Sequence, residues 1–192
     1  MSKRGARTRN HASPPVRRRR RLDRIWAENR HVLKVWVVFL GVFGVFMALL
    51  NWSQAWFEPR ANAFTAMLAA WTLRLLGEGG HHEGTLVLSS LPPLEIIWEC
   101  TGITPISIYL AAVLAYPASW KAKGWGILSG VPALLVVNLI RVVSLAYVAD
   151  RFPDAFEIAH VFVWQSLIIF VTVLLWLLWI ITVVGHIEIA AR

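Results

Sequence analysis

Long, nearly charge-free apolar runs leave this chain little choice of solvent. From Val32 to Asn51 the sequence is almost wholly apolar, with Gly41 and Gly44 tolerated within it, and roughly 20 such residues are what a ~30 Å hydrocarbon core requires of a helix. Three more runs follow, over residues 103–120, 125–149 and 158–184, the first of them short and carrying Pro105 near its start. Charged residues make up only 16% of the 192 positions against 57% hydrophobic ones, too thin a polar coat for a water-soluble domain of this size. The expected fold class is an all-α multi-pass membrane protein with about four transmembrane helices.

Residues 52–100 form the largest piece outside the spans. Ala63 to Leu76 has helical spacing, but Arg74 and its modest length argue against a full crossing, so an amphipathic helix lying at the outer surface is expected. Gly77 to Gly84, with His81, His82 and Glu83, reads as a loop. Thr85 to Ser89 and Leu94 to Trp98 can pair as a short β-hairpin around Pro92-Pro93.

The net charge of +8 is concentrated at one end: twelve of the nineteen Lys and Arg residues lie between Lys3 and Lys34. Directly before a hydrophobic segment, such a cluster marks the cytoplasmic side of a membrane protein, with contact to anionic lipid headgroups as a by-product. Membrane lipids are therefore expected partners and nucleic acid is not. Residues 1–30 read as a basic, disordered cytoplasmic tail and 31–192 as a single membrane-embedded domain. The short turn carrying Lys121 and Lys123 also belongs inside, so both termini are cytoplasmic. Residues 52–100 and the Asp150 to Glu157 connection then face outward. The tryptophans, Trp98, Trp120, Trp125 and Trp179 among them, lie mostly near span ends as interfacial anchors.

Depth brings three reactive side chains to one level. Cys100, the single cysteine, precedes the second span, and a lone thiol is either a small buried hydrophobe or a nucleophile. His160 lies at the outer end of the fourth span and Arg141 in the outer half of the third. Asn138, Arg141 and Ser144 recur every three residues, a polar stripe that must face protein or water. An arginine inside a span faces a bundle interior, either as a structural residue bonded to loop carbonyls or as part of a site. Beside Cys100 it would lower the thiol's pKa or stabilise the oxyanion formed when a thiolate attacks an amide carbonyl. His160 suits proton transfer to the leaving amine. Glu99 would raise the thiol's pKa if it pointed inward, and a peripheral role suits it better.

Glu99-Cys100-Thr101-Gly102-Ile103, then Asn138-Leu139-Ile140-Arg141, then an isolated His160, in that order and at a shared depth, resemble the exosortase/archaeosortase family. The resemblance covers roughly Leu94 to Trp164, and the chain is most similar to compact forms such as exosortase H. Family members commonly carry Ser where this chain has Thr101, which keeps the hydroxyl.

The resemblance implies a cysteine transpeptidase or endopeptidase in a prokaryotic cytoplasmic membrane, cleaving C-terminal sorting signals of exported proteins at the outer face through a thioester. Cys100 would be the nucleophile, Arg141 the electrostatic partner and His160 the acid/base. The implied partner is a protein ending in a recognition motif, a membrane helix and a basic cluster. No cofactor or metal is expected, since His81-His82-Glu83 fits no zincin spacing and no phosphate-cradling loop is present. A different class stays open: a non-catalytic transport subunit or assembly factor in which Asn138 and Arg141 line a polar path. A third is a metal- or haem-handling protein using His81, His82 or His160.

Overall fold

A computed structural model of the chain describes residues 16–186. The expected tail, residues 1–30, thus lies outside the described residues up to position 15. Helix α1, Val16–Leu75, begins within it.

The largest departure from the sequence expectation is in α1. The first span and the stretch expected as a separate surface helix are one continuous helix. The polar residues between them do not break it. Gln54 Nε2 donates to Glu58 Oε2 one turn on (2.9 Å), and the Ser53 hydroxyl donates back to the Leu49 carbonyl (2.9 Å), so both satisfy themselves along the helix. From Val32 to Leu75 it is 44 residues long, about 66 Å at 1.5 Å per residue, twice a hydrocarbon core. It ends at Gly77, whose φ of 89° supplies the left-handed cap. There Gly77 N donates to Arg74 O (3.1 Å) and Glu78 N to Leu73 O (2.9 Å), closing the last turn.

The expected hairpin is present as part of a three-stranded antiparallel sheet: β1 (His81–Glu83), β2 (Leu86–Leu88) and β3 (Leu94–Glu95), in that order. Val87 pairs with Leu94 and Leu86 with Glu95. The stretch read as a histidine loop supplies the extra strand, with His82 opposite Val87. Val87 and Ile96 are buried on the face of α1 carrying Ala66, Ala69, Ala70 and Leu73, together with Cys100, Val142 and Val143. Small side chains at three- and four-residue spacing let the sheet lie close on α1, which is why this part of the helix is an interior wall and not a surface helix.

A 3₁₀ turn at Trp98–Cys100 leads into α2, Ile103–Ala115. At 13 residues α2 rises only ~20 Å and falls short of a crossing by itself. Among the described residues three helices, not four, are long and apolar enough to span: Val32–Leu75 of α1, α3 (Trp120–Arg151) and α4 (Ile158–Val184). The sequence expectation of about four counted residues 116–119, which form a non-helical connection. Lys123 Nζ reaches the Leu114 carbonyl (2.7 Å), and Ser119 caps α3 by accepting from Ala122 N (3.4 Å), so the turn is tight and α2 lies antiparallel to α3. The middle of α4, Gln165–Trp179, is α-helical; its ends, Ile158–Trp164 and Ile180–Val184, are π-wound.

A second core sits toward the Trp120 end: Tyr109, Val113, Ala122, Leu134, Trp179 and Val184. Tyr109 donates to the Gly126 carbonyl (2.9 Å) and Trp179 Nε1 to the Ala122 carbonyl (2.8 Å). Trp179, expected as an interfacial anchor, is 3% exposed and belongs to this core; its indole N–H has found a buried partner. Trp52 and Trp120, by contrast, are among the most exposed side chains. The result is a mostly helical membrane protein with its two cores at opposite ends.

Candidate active site

Cys100 is placed by three local devices. The 3₁₀ turn holds its amide on the Ile97 carbonyl (2.9 Å). The Thr101 hydroxyl donates to the Trp98 carbonyl (2.7 Å) and accepts from Ile103 N (3.3 Å), so it closes the turn and opens α2. Gly102 then takes φ of 74° at the N-cap of α2, a region closed to most side chains. A Cβ there would also stand 2.8 Å from Cγ of Asn138.

That close approach lets α3 reach the segment. Asn138 Nδ2 donates to the Cys100 carbonyl (2.7 Å) and Arg141 Nη1 to the Glu99 carbonyl (3.1 Å). Both members of the polar stripe are thus tied to consecutive carbonyls flanking the thiol. The third, Ser144, turns its hydroxyl back to the Arg141 carbonyl (2.8 Å). The side chain of Glu99 is exposed, in line with a peripheral role.

Depth follows from α3. Measured from Trp120, Asn138 stands ~27 Å and Arg141 ~32 Å along the helix, about one hydrocarbon thickness. α3 is 32 residues long and overshoots a span by several turns, so Arg141 stands about one hydrocarbon thickness from its start. Its charge is nonetheless enclosed: Arg141 is 2% exposed and its Nε has no partner. Among the described residues the one ion pair is Arg151–Asp150, so no carboxylate there forms a salt bridge with Arg141, although Glu99 acts on it at longer range.

Burial pushes the Cys100 thiol above its ordinary value. A hydrogen bond with the Ile97 backbone and the charge of Arg141 pull the other way, and Glu99 adds a smaller upward push. Arg141 thus acts in the expected direction, lowering the thiol's pKa, but burial outweighs it. Desolvation disfavours the thiolate more than one guanidinium favours it, and the resting group is a neutral thiol.

His160 approaches from the far side. It sits in the π-wound start of α4, a winding frequent at functional sites, with its ring stacked on Phe156 (centroids 5.8 Å apart, planes at 28°). Its Nε2 is buried without a partner. A cavity of about 650 Å³ has both Cys100 and His160 in its wall, with Leu94, Ile97, Val142 and Leu145. The structure thus brings Cys100 and His160 to one cavity and ties Arg141 to the adjoining main chain. His81 and His82 are exposed on β1, and among the described residues no three His, Cys, Asp or Glu side chains gather as a metal site.

Two features of this geometry escaped the sequence reading. Gly102 stands out in the sequence only as part of a motif, although a glycine between Thr101 and an apolar helix start, where Ser, Thr, Asp or Asn is usual, signals a special backbone. The π-winding around His160 leaves no signal in an all-apolar run.

The family model described as transmembrane exosortase matches residues 25–179, well over half of the chain and inclusive of Cys100, Asn138, Arg141 and His160. No curated protein and no solved structure matches it.

Proposed function

The chain belongs to the transmembrane exosortase family, and on that premise we propose that it is a membrane-embedded cysteine transpeptidase or endopeptidase acting on C-terminal sorting signals. The basic tail and the Lys121/Lys123 turn lie in the cytoplasm on this reading, and the Cys100 end opens at the outer face. A substrate's own membrane helix and basic cluster would hold its recognition motif at that level, replacing a diffusive encounter by positioning.

Attack begins with transfer of the Cys100 Sγ proton to His160 as the sulfur bonds the scissile carbonyl carbon. The carbonyl oxygen takes up the electron pair, and Arg141 balances that negative charge. Collapse breaks the C–N bond and His160 returns its proton to the leaving amine, leaving a thioester. Water or a surface amine then attacks the thioester, giving a proton to His160. The sulfur departs and regains that proton.

The observation that carries this reading is the buried, unneutralised Arg141 tied to the carbonyl next to Cys100. Burying a charge without a counterion costs several kcal/mol, and the reaction generates the missing anion beside it. A neutral resting thiol fits the same scheme, since the charge forms only when a proton acceptor and an electrophile are both in place. The polar-path alternative draws less support from Asn138 and Arg141, each of which spends one donor on a main-chain carbonyl while Asn138 Oδ1 and Arg141 Nε keep no partner.

The test is Cys100→Ala in cells that co-express exported proteins ending in a motif, a membrane helix and a basic cluster. Processing of such a substrate should stop while the variant inserts normally. Undiminished processing would overturn the proposal.

A further inference from the structure

The small sheet ends in a free edge beside the thiol turn. Its strand order is β1, β2, β3, so β2 is paired on both sides and β3 on one. Leu86 stands opposite Glu95 and Val87 opposite Leu94. One bond fixes the phase of that pairing: Ile96 N donates to the Thr85 carbonyl (2.9 Å). Bonded and non-bonded pairs alternate in an antiparallel ladder. Leu94 and Ile96 therefore turn their N–H and C=O to β2, while Glu95 and Ile97 turn theirs away from it.

Ile97 is still extended (φ -104°, ψ 174°), so the outward phase continues past the end of β3. Among the described residues no main-chain bond from another segment reaches the amide or carbonyl of Glu95 or the amide of Ile97. The Ile97 carbonyl accepts from the Cys100 amide (2.9 Å), so this edge runs straight into the turn that carries the thiol. Pro93, in the same outward phase, has no N–H to offer. The free edge is thus short, with its donors at Glu95 and Ile97.

What lies against this edge is the cavity of Cys100 and His160. Pro93, Glu95 and Ile97 all line it. Glu95 is exposed and Ile97 is 45% exposed, while Ile96, of the opposite phase, is buried in the core on α1. Unpaired main-chain groups beside a cavity with apolar walls at Val142, Leu145 and Val161 suit an extended peptide. Its main chain takes the edge and its alternate side chains take the cavity.

We propose that the sorting signal is received as an added strand on the free edge of β3, paired with the Glu95 and Ile97 main chain, which lays the scissile carbonyl beside Cys100. The inference rests on the peptidase reading above and adds to it how the substrate is held. A strand added ~4.8 Å from β3 runs along the cavity wall, and Ile97 stands three positions before the nucleophile.

Because main-chain groups carry the pairing, proline is the probe. Glu95→Pro deletes an outward N–H, which an edge strand tolerates. It should lower processing per folded molecule about tenfold, the worth of one hydrogen bond left unmade. His82→Pro deletes the outward N–H of β1, by the same alternation, and should leave processing within about twofold of the parent. A second measurement is independent of turnover. Glu95→Cys in a Cys100→Ala background leaves the full-length protein one thiol, on β3. It is co-expressed with exported proteins ending in a motif, a membrane helix and a basic cluster, each with a single cysteine stepped through the motif. Disulfides should form at alternate positions only, since residues of like phase share one face of a sheet. Cross-links at consecutive positions, or none, would overturn the proposal, as would parent-level processing by Glu95→Pro. Undiminished processing by Cys100→Ala would instead remove the peptidase reading, and the cross-linking pattern would still report whether this edge takes a strand.

Discussion

Replacing Arg141 by Met separates a structural arginine from a chemical one. The variant keeps similar length and removes the charge. It leaves the Glu99 carbonyl, now bonded at 3.1 Å, without its donor, at a cost of about 1 to 3 kcal/mol. Against this, it removes an ion that is 2% exposed and has no carboxylate partner among the described residues, and the effective desolvation penalty of such an ion is several kcal/mol. The two roughly offset, so the folded state should be as stable as the parent or more so. Processing should nonetheless fall about 10²- to 10³-fold, the loss seen when one oxyanion donor is removed. Arg141→Lys should recover part of the rate, because a point charge survives while the planar fork is lost. The assay pairs thermal unfolding of the purified protein in detergent with cleavage of a matched substrate, scaled to folded protein. A variant that unfolds several kcal/mol more easily yet processes substrate within about twofold of the parent would make Arg141 a strut, and the argument from its missing counterion would fail.

Gly102→Ala should destabilise by about 2 to 5 kcal/mol, combining a left-handed backbone penalty with displacement of Asn138 from the Cys100 carbonyl. Gly44→Ala, with nothing within 4 Å of the added carbon, should be neutral or slightly stabilising in the same thermal assay. Iodoacetamide labelling of Cys100 should be slower than that of an ordinary thiol at pH 7 to 8 and still rising beyond about pH 9, because burial raises its pKa. Arg141→Met should delay that rise and Glu99→Gln advance it; a labelling midpoint below about pH 8 would contradict the structure. The same raised pKa makes the folded state's thiol contribution complete below about pH 8.5 and progressively lost as pH climbs through the folded value, so alkaline unfolding should be easier in the parent than in Cys100→Ala. Gly130→Ala would press a Cβ to within 2.2 Å of the Tyr109 ring, so about 1 to 3 kcal/mol or more should be lost from the second core, with processing per folded molecule retained.

The sequence disclosed depth better than continuity. Apolar run length placed three of the four expected spans, and shared depth put Arg141 at the level of a thiol that lies 41 positions earlier in the chain. Continuity was hidden because Asn51, Ser53 and Gln54 read as a boundary, whereas a helix tolerates such side chains when they bond to their own turn. The outer half of α1 was misread for a related reason: Ala66, Ala69 and Ala70 give a weak apolar signal although their smallness is what admits the sheet. Residues 103–120 were counted as a full span because composition does not mark where Tyr116 leaves the helix. Trp179 shows the converse limit, since an indole at a span end suits both a lipid boundary and a buried core. The neutral resting thiol could not be read from the arginine alone, because the outcome depends on how much water surrounds the sulfur.

The unbroken helix from Val32 to Leu75 has a mechanical corollary. Pro59 lies inside it and lacks the N–H of an ordinary helix residue, so mismatch with a thinner bilayer is accommodated by tilting or by bending at that point, at fractions of a kcal/mol per ångström. In this protein the far end of the rod is also the floor under the sheet, Val142 and the thiol. Acyl-chain length in the surrounding membrane is therefore expected to act on the geometry at Cys100, and processing measured in lipids of different thickness should differ.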